Sequence, residues 1–256
     1  MRTAFLIVPL ALAMAAALQG CSNDGLPSQL LTSASTPESQ ATADNPRADP
    51  FGQGGVQPLG AREVIANPTL AEVMKPGALP EMALGRETAP VTIIKYASMT
   101  CPYCRKFQLE VFPVLKREYI DTGKVRFILR EFPIGFQSGA ATIALRCAPP
   151  DKYFTLYEKL MAQQDAWVSQ EVRTEPIFKV AAQVGMTRAQ FDACRQNQGM
   201  IAALNGIKER GRTLGVIGTP NFFINGKLIK TTLDLAQLRA IIDPIIAGQA
   251  ATANRT

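Results

Sequence analysis

Two cysteines stand three positions apart in the stretch MTCPYCRKF, as Cys101 and Cys104. A pair at this spacing can form and exchange a disulfide, bind a metal through two thiolates, or lie close together without shared chemistry. The compartment separates these outcomes, because an oxidising space favours disulfides whereas a reducing cytosol favours metal binding or transient cycling. The N-terminal sequence therefore decides which uses are open to the pair.

The first 20 residues predict an export signal. Arg2 is the only charged residue before Cys21, and the apolar run AFLIVPLALAMAAAL is short for a membrane span but typical of a secretory signal. The run ends in LQGC, which resembles the lipobox of bacterial lipoproteins, where the cysteine is acylated and becomes the new N-terminus. We therefore predict a signal peptide at 1–20 and lipid attachment at Cys21. Simple cleavage by the ordinary signal peptidase is the alternative.

Residues 21–60 are predicted to form a disordered tether that begins at the lipidated Cys21. The stretch SASTPESQATADNPRADPFGQGG is mostly small or polar and has too few large apolar side chains to offset the loss of chain entropy on folding. Such a tether would hold a folded domain away from a membrane surface. Residues 61–256 are enough for one well-buried domain with an insertion.

The composition excludes several kinds of chemistry. The chain has no histidine, which removes Ser-His-Asp and Cys-His nucleophile arrangements, His-containing zinc sites and haem bound through a proximal His. The net charge of +6 is spread along the chain, and even the basic stretch KERGR is interrupted by an acid and a glycine. We therefore expect no nucleic-acid partner.

A predicted strand and a predicted helix position the two cysteines. Residues 89–98, APVTIIKYAS, are β-branched and apolar enough to form a buried strand. Apolar residues between Phe107 and Leu115 fall on one stripe at helical spacing, and the helix is predicted to continue to Tyr119. The pair therefore lies where a strand turns into a helix, with Cys101 at the helix N-terminus.

This position should make Cys101 the more acidic of the two thiols. Unpaired backbone N–H groups and the helix dipole favour an anion at a helix N-terminus, which lowers the pKa of a thiol there. Cys104 lies one turn further along the same face, where it can close a disulfide with Cys101 or attack a mixed disulfide formed on it. Pro102 suits the first helical position because its φ angle is fixed and it has no N–H.

The strand, the Cys-x-x-Cys pair, the helix and the downstream stretch GVIGTPNFFINGKLI (215–229) resemble the thioredoxin superfamily, specifically its periplasmic DsbA-like branch. In that family a cis-proline loop packs opposite the cysteines and a β-hairpin follows. Thr219-Pro220 matches the cis-proline dipeptide, with an ordinary trans bond as the alternative. Asn225-Gly226 is a turn expected for two short hairpin strands. The resemblance implies an α/β thioredoxin fold with a central mixed β-sheet and an inserted all-helical domain.

The long interval before Pro220 indicates where the insertion lies. Residues 124–134, KVRFILREFPI, are predicted to form the next central strand, and five helical patterns follow it. These patterns cover residues 139–147, 151–163, 175–184, 188–195 and 200–214. We therefore expect the first part of the thioredoxin-like domain at 61–136, the helical insertion at 137–214 and the second part of the domain at 215–256.

Cys147 and Cys194 both fall inside the predicted insertion. Some members of the family have a second disulfide, and an exported chain with a lipidated Cys21 keeps an even set of four cysteines. The resemblance therefore implies a structural disulfide between Cys147 and Cys194. Two buried free thiols are the alternative.

Two positions depart from the pattern of the family. The strongest oxidants of the branch often have His at the position of Tyr103, so we expect this pair to be less oxidising than theirs. Lys95 stands where the family often has an acid. Arg105 and Lys106 follow the pair and either supply compensating cations or face water.

Arg130 and Glu131 come late in the second predicted strand. They are the other ionisable residues that could bear on the site. An exposed salt bridge is the alternative.

By resemblance, the chain is the lipoprotein form of a DsbA-like thiol:disulfide oxidoreductase that introduces disulfides into folding periplasmic proteins. Cys101 and Cys104 are the expected catalytic pair. The residues expected to position the substrate are Pro102, Tyr103, Thr219 and Pro220. The resemblance implies no cofactor and no metal. The expected partners are cysteine-containing unfolded or folding proteins, a DsbB-like quinone-linked membrane oxidase, and the lipid membrane through acylated Cys21. We expect a periplasmic monomer anchored to a membrane by its N-terminal lipid.

Two alternatives stay open. A reductase or isomerase of the same fold would be kept reduced by a membrane electron donor and would have a more reducing potential. The predicted disorder of residues 22–60 leaves no dimerisation module there, which favours an oxidase over an isomerase. A metal-binding thiol protein would use both thiolates for copper or zinc, but only Met99 stands beside the pair as a further ligand.

Overall fold

The computed structural model describes Phe51 and residues 64–253. The predicted signal peptide at 1–20, the lipid attachment site at Cys21 and all of the predicted tether except Phe51 lie outside the described residues. Within the described ranges, no helix is both long enough and apolar enough to cross a membrane.

Five strands form one mixed sheet. They are β1 (Met82–Leu84), β2 (Val91–Ala97), β3 (Val125–Glu131), β4 (Asn221–Ile224) and β5 (Lys227–Ile229). The order across the sheet is β1-β3-β2-β4-β5, with β2 and β3 parallel and the other neighbours antiparallel. In the centre, Lys95 of β2 pairs with Leu129 of β3 on one side and Phe222 of β4 on the other. The mixed central sheet confirms the predicted fold class.

The apolar character of β2 follows from burial on both faces of the sheet. Ile93 and Ala97 pack into the main core, whereas Ile94 and Tyr96 pack into a smaller core on the other face. Central parallel strands that are covered on both faces have nearly continuous apolar sequences instead of strict alternation. This explains why the stretch at 89–98 predicted a buried strand so clearly.

Helices make up most of the remaining chain. They are α1 (Leu70–Val73), α2 (Pro102–Lys106), α3 (Phe112–Leu115), α4 (Phe136–Arg146), α5 (Tyr153–Ala162), α6 (Gln164–Trp167), α7 (Thr174–Ala182), α8 (Arg188–Arg195), α9 (Gln198–Thr213) and α10 (Leu235–Ala253). The π-helical turn Phe107–Val111 links α2 to α3, and a second π-helical turn, Lys116–Ile120, continues the same helical segment after α3. Helices α4 to α9 lie between β3 and β4, so a helical insertion separates the two parts of the sheet.

The sequence patterns predicted the longer helices of the insertion to within a few residues at each end. They do not indicate α1 and α6, which have only four residues each, or α10. Pro244 lies inside α10 and normally interrupts a helix. Leu238 and Ile242 of α10 are fully buried in the main core, and this packing stabilises the helix around the proline.

Arg130 and Glu131 are both buried, so the alternative of an exposed salt bridge is wrong. Adjacent residues of a strand point to opposite faces of the sheet, and these two side chains therefore have different partners. Arg130 donates to both carboxylate oxygens of Glu81 and to the hydroxyl of Tyr96. Glu131 accepts a hydrogen bond from the hydroxyl of Tyr153.

A disulfide joins Cys147 and Cys194, whose Cα atoms are 6.1 Å apart. The pairing implied by the resemblance is present, and the free-thiol alternative is not. Phe51, which falls within the predicted tether, is buried in the same apolar cluster as Cys194. Its backbone carbonyl accepts a hydrogen bond from Lys208 at 2.7 Å. This one described residue of the tether segment therefore packs against the domain.

Candidate active site

The first cysteine of the pair caps the helix that follows β2. Cys101 is the N-cap residue of α2, with an extended backbone, and Pro102 occupies the first turn. The Sγ atom of Cys101 accepts a hydrogen bond from the backbone N–H of Cys104 at 3.4 Å. A thiolate at this position would satisfy a backbone donor that the start of the helix leaves unpaired.

The two thiols differ in accessibility. Both cysteines are free thiols, but Cys101 is partly exposed whereas Cys104 is completely buried. The side chain of Cys101 is therefore accessible from outside the protein, whereas that of Cys104 is enclosed by other residues.

The loop before β4 brings a second backbone segment to Cys101. The Thr219-Pro220 peptide bond is cis, so the trans alternative is wrong. The Thr219 carbonyl oxygen lies 3.1 Å from the Sγ atom of Cys101. The position follows from the sheet register, because Asn221 directly after the proline pairs with Tyr96 near the end of β2.

The Asn-Gly turn that closes the hairpin has the predicted geometry. Asn225 and Gly226 both have positive φ angles, of 46° and 88°, and join β4 to β5 directly. These angles suit a two-residue hairpin turn. The side-chain carbonyl of Asn225 also accepts a hydrogen bond from the Thr92 backbone N–H at 2.7 Å, which links the turn to β2.

The electrostatic environment separates the pKa values of the two thiols. The pKa of Cys101 is lowered to about 5, first by a hydrogen bond from the Cys104 thiol and then by the Thr219 side chain and the backbone N–H groups of Tyr103 and Cys104. Partial burial opposes this shift. Burial raises the pKa of Cys104 well above that of an ordinary thiol. At neutral pH the reduced pair therefore holds one thiolate, on the accessible sulfur.

Lys95 lies beneath the pair. Its side chain is fully buried, and Nζ is 3.4 Å from the backbone carbonyl oxygen of Cys104 and 3.1 Å from the hydroxyl of Tyr157. The same nitrogen stands 4.4 Å from the centre of the Phe107 ring. Burial lowers the pKa of Lys95 to about 8, against the opposite influence of Cys104 and Cys101.

The charged and aromatic residues next to the pair mostly face water. Tyr103 is 60% exposed. Arg105 forms an ion pair with Asp165, and Lys106 forms one with Glu110. Neither cation is among the main causes of the low pKa of Cys101, so the expectation of compensating cations is not supported.

Side chains from the helical insertion hold the backbone around Cys101. Gln164 is buried and donates through Nε2 to the carbonyl oxygens of Met99 and Cys101, at 2.7 and 3.3 Å. Ser138 accepts a hydrogen bond from the Met99 backbone N–H at 3.0 Å. Neither residue could be identified from the sequence, because no local pattern marks a polar side chain in a helix as the partner of a distant loop.

Several exposed apolar side chains lie on the elements around Cys101. This apolar rim consists of Tyr103, Ile134, Phe136, Val168 and Ile217. Ile217, at 77% exposure, precedes the cis-proline loop, and the Ile134 backbone N–H donates to Ser98 at the end of β2. A group of apolar side chains around a reactive sulfur can bind an extended polypeptide.

A family model described as Thioredoxin matches residues 78–244. The match extends over more than half of the chain, and the chain belongs to this family. The matched range includes the Cys-x-x-Cys pair, the helical insertion and the cis-proline loop.

Individual relatives agree with the DsbA-like resemblance. A protein of Rickettsia conorii that is provisionally named a protein-disulfide oxidoreductase is 32% identical over 148 residues, which cover 57% of this chain and 53% of that protein. The chain therefore spans about half the length of this relative. A Bacillus anthracis protein named "Probable disulfide bond formation protein D" is 28% identical over 171 residues, 64% of this chain and 77% of that one.

The fold is also similar to that of a solved DsbA-type protein. The crystal structure of Wolbachia pipientis alpha-DsbA1 matches with a TM-score of 0.66 and 26% identity. The match covers 72% of this chain and 100% of that chain. The DsbA-like recognition made from the sequence is therefore confirmed.

Proposed function

We propose that this chain is an exported thiol:disulfide oxidoreductase that introduces disulfides into folding proteins, with Cys101 and Cys104 as its catalytic pair. The observation that carries this proposal is the acidic, accessible thiol of Cys101, which caps α2 and faces the cis-proline loop. The names of the Rickettsia and Bacillus relatives support the same chemistry.

The reaction begins with the pair in its disulfide form. A substrate thiolate attacks Sγ of Cys101, the bond between Cys101 and Cys104 breaks, and Cys104 leaves and takes up a proton. A second substrate thiolate then attacks the substrate sulfur of the mixed disulfide and displaces Cys101 as a thiolate. Two electrons pass from the two substrate thiols to the pair, and the substrate gains one disulfide.

The low pKa of Cys101 favours this direction. A stabilised thiolate is a good leaving group, and any interaction that stabilises the reduced pair makes its disulfide a stronger oxidant. The buried Cys104 is protected from attack, so the mixed disulfide forms on Cys101 alone. The low pKa of Cys101 suits a donor of disulfides better than a reductase, and the burial of Cys104 decides which sulfur is attacked.

The substrates we propose are unfolded or folding polypeptides with free cysteines. Four residues next to Cys101 would position such a chain: Pro102, Tyr103, Thr219 and Pro220. Pro102 and Tyr103 are exposed, and Thr219 offers its backbone beside the sulfur. The apolar rim would bind apolar side chains of many sequences, because its contacts need no particular hydrogen-bond pattern.

The cellular setting is also part of the proposal. The N-terminal sequence supports export to the periplasm, cleavage after residue 20 and acylation of Cys21, with the segment up to residue 60 as a tether. The protein would act as a monomer, and a DsbB-like quinone-linked membrane oxidase would reoxidise the pair. Incorporation of labelled fatty acid in cells, with Cys21→Ser as the control, tests the anchor. Label that persists in Cys21→Ser would contradict acylation at this residue.

The redox equilibrium of the pair with glutathione tests the oxidase. We would measure it on the full chain carrying Cys21→Ser, so that no other free thiol exchanges. A potential of about −120 to −180 mV is expected for a disulfide donor. A value near that of thioredoxin, about −270 mV, would instead favour the reductase alternative.

A further inference from the structure

Lys95 is a buried cation whose contacts are all uncharged. Its Nζ atom meets the Cys104 carbonyl, the Tyr157 hydroxyl and the Phe107 ring. Within residues 64–253, none of the groups in contact with Nζ is a carboxylate. A charge in such a place is costly unless a counter-charge lies nearby or the group loses its proton.

The groups that face Lys95 come from every element packed against it. Leu129 of β3 and Phe222 of β4 flank it in the sheet and carry no charge. Two residues along β3 on the same face, the Glu131 carboxylate is hydrogen-bonded to Tyr153 and lies 3.5 Å from Arg146. It therefore has its own partners.

The helices supply the remaining titratable groups. These are Tyr157 on α5 and the two cysteines at the start of α2. Burial raises the pKa of Tyr157 well above its usual value, so this hydroxyl stays neutral at physiological pH. The sulfurs of Cys101 and Cys104 are therefore the groups whose charge changes next to Lys95.

The counter-charge of Lys95 depends on the redox state of the pair. The reduced pair holds a thiolate on Cys101, which favours a protonated Lys95. The disulfide form holds no charge, and Lys95 is then left buried without an anion. Formation of the disulfide should therefore lower the pKa of Lys95 further.

We propose that Lys95 is a positioning residue that takes up a proton when the Cys101–Cys104 disulfide is reduced and releases it when the disulfide forms again. This inference rests on the proposed function, because it assumes that the pair cycles.

Protons and electrons balance in this half-reaction. A substrate dithiol and the enzyme disulfide, with neutral Lys95, give a substrate disulfide, the Cys101 thiolate, the Cys104 thiol and protonated Lys95. Two electrons reach the pair, one substrate proton goes to Cys104 and the other to Lys95. The enzyme then keeps both protons and needs no proton exchange with solvent to complete the half-reaction.

The pH dependence of the glutathione equilibrium counts these protons. Oxidation of two glutathione molecules to their disulfide releases two protons. Reduction of the Cys101–Cys104 disulfide to one thiolate and one thiol takes up only one of them, so one proton is released to solvent. The equilibrium constant for reduction of the Cys101–Cys104 disulfide by glutathione would then rise about tenfold for each unit by which the pH is raised. If Lys95 takes up the second proton, the constant changes by less than about threefold per pH unit near neutrality.

We would measure this slope between about pH 6.5 and about pH 8 in the full chain carrying Cys21→Ser. The expected result is a shallow slope with native Lys95 and a slope near tenfold per unit in Lys95→Met, which has a similar length and no charge. The matched control is Lys106→Met, which removes an exposed lysine on the same helical segment as the pair. It should keep the shallow slope.

A second variant distinguishes the effect of a positive charge at position 95 from the effect of proton uptake there. Lys95→Arg keeps a charge that is not released, so its slope should also approach tenfold per unit. A slope of tenfold per unit with native Lys95 would overturn the proposal, whatever the variants do. The size of the equilibrium constant tests the proposed oxidase function, whereas its dependence on pH tests proton uptake by Lys95. Either hypothesis can therefore be contradicted while the other stands.

Discussion

The two cysteine pairs occupy opposite ends of helices. Cys101 caps the N-terminus of α2, whereas Cys147 follows the last residue of α4 and Cys194 lies in the last turn of α8. The N-terminal end of a helix stabilises a thiolate and the C-terminal end disfavours one.

Each pair has one buried and one partly exposed cysteine: Cys104 and Cys194 are buried, and Cys101 and Cys147 are partly exposed. The two partly exposed residues differ in their surroundings, because Cys101 faces the cis-proline loop and Cys147 packs against the apolar cluster that includes Cys194. Position in a helix and the surroundings of the partly exposed sulfur, more than the presence of two nearby cysteines, therefore distinguish a pair suited to exchange from a pair suited to crosslinking.

The largest expected effect is the loss of exchange on removal of the first sulfur. Cys101→Ser should reduce the rate of oxidation of an unfolded test protein by about a thousandfold or more, because the thiolate is the nucleophile and leaving group. Cys104→Ser with glutathione disulfide-bonded to Cys101 should instead hold the substrate on Cys101 as a mixed disulfide, because a substrate thiolate displaces glutathione and no second thiol of the pair can attack the product. The control is Cys147→Ser with Cys194→Ser, which should still exchange. If that double variant were as inactive as Cys101→Ser, the distinction between the pairs would fail.

The free energy of unfolding should depend on the Cys147–Cys194 pair, which is not needed for exchange. Replacing both Cys147 and Cys194 by Ala should lower the free energy of unfolding by about 4 kcal/mol, because the crosslink closes a long loop in the unfolded chain. Denaturant titration measures this change. The pKa of Cys101, followed by thiolate absorbance, should stay near its original value, and a large shift would show that the two pairs are coupled.

The stability of the reduced protein should depend on pH through Cys101. Its folded pKa is below the unfolded value, so the thiolate stabilises the folded reduced form above about pH 5, increasingly as the pH rises. The gain should reach about 2 kcal/mol by pH 7, allowing for solvent screening of a partly exposed group. Above about pH 8.5, the raised pKa of Cys104 acts in the opposite sense.

Denaturant titrations of the reduced and oxidised forms of Lys95→Met at several pH values measure this difference, because in the native chain the proposed release of the Lys95 proton would change the profile of the oxidised form in the same direction. The oxidised form has no titrating thiol at these positions and serves as the reference. Parallel pH profiles for the two forms would contradict a thiolate on Cys101.

A smaller effect is expected from the cis-proline loop. Thr219→Val removes one of the side-chain hydrogen bonds that lower the pKa of Cys101. The pKa should rise and the equilibrium constant for reduction by glutathione should fall by about threefold to tenfold, the range of a single hydrogen bond. Thr122→Val, which changes a surface threonine bonded to the Glu118 carbonyl, is the control and should have no effect.

Much of the fold could be predicted because its signals are local. Periodicity indicated β2, β3 and the longer helices, and the pair Asn225-Gly226 indicated the hairpin turn. The predicted position of Cys101 at a helix N-terminus required only a strand pattern before it and a helical stripe after it. Buried side chains with distant partners, such as Arg130 with Glu81, were beyond this reasoning, because a charged residue has no local mark of its partner.

By itself, the sequence determined which residues could do the chemistry and which lay at the start of a helix. The tertiary structure decided what surrounds them: the Thr219 loop against Cys101, Gln164 on the backbone at Met99, and Lys95 beneath the pair. These contacts join residues far apart in the chain, and they depend on strand register and helix packing. The chemical identity of a thiol is therefore local, whereas its acidity is set by the packed protein around it.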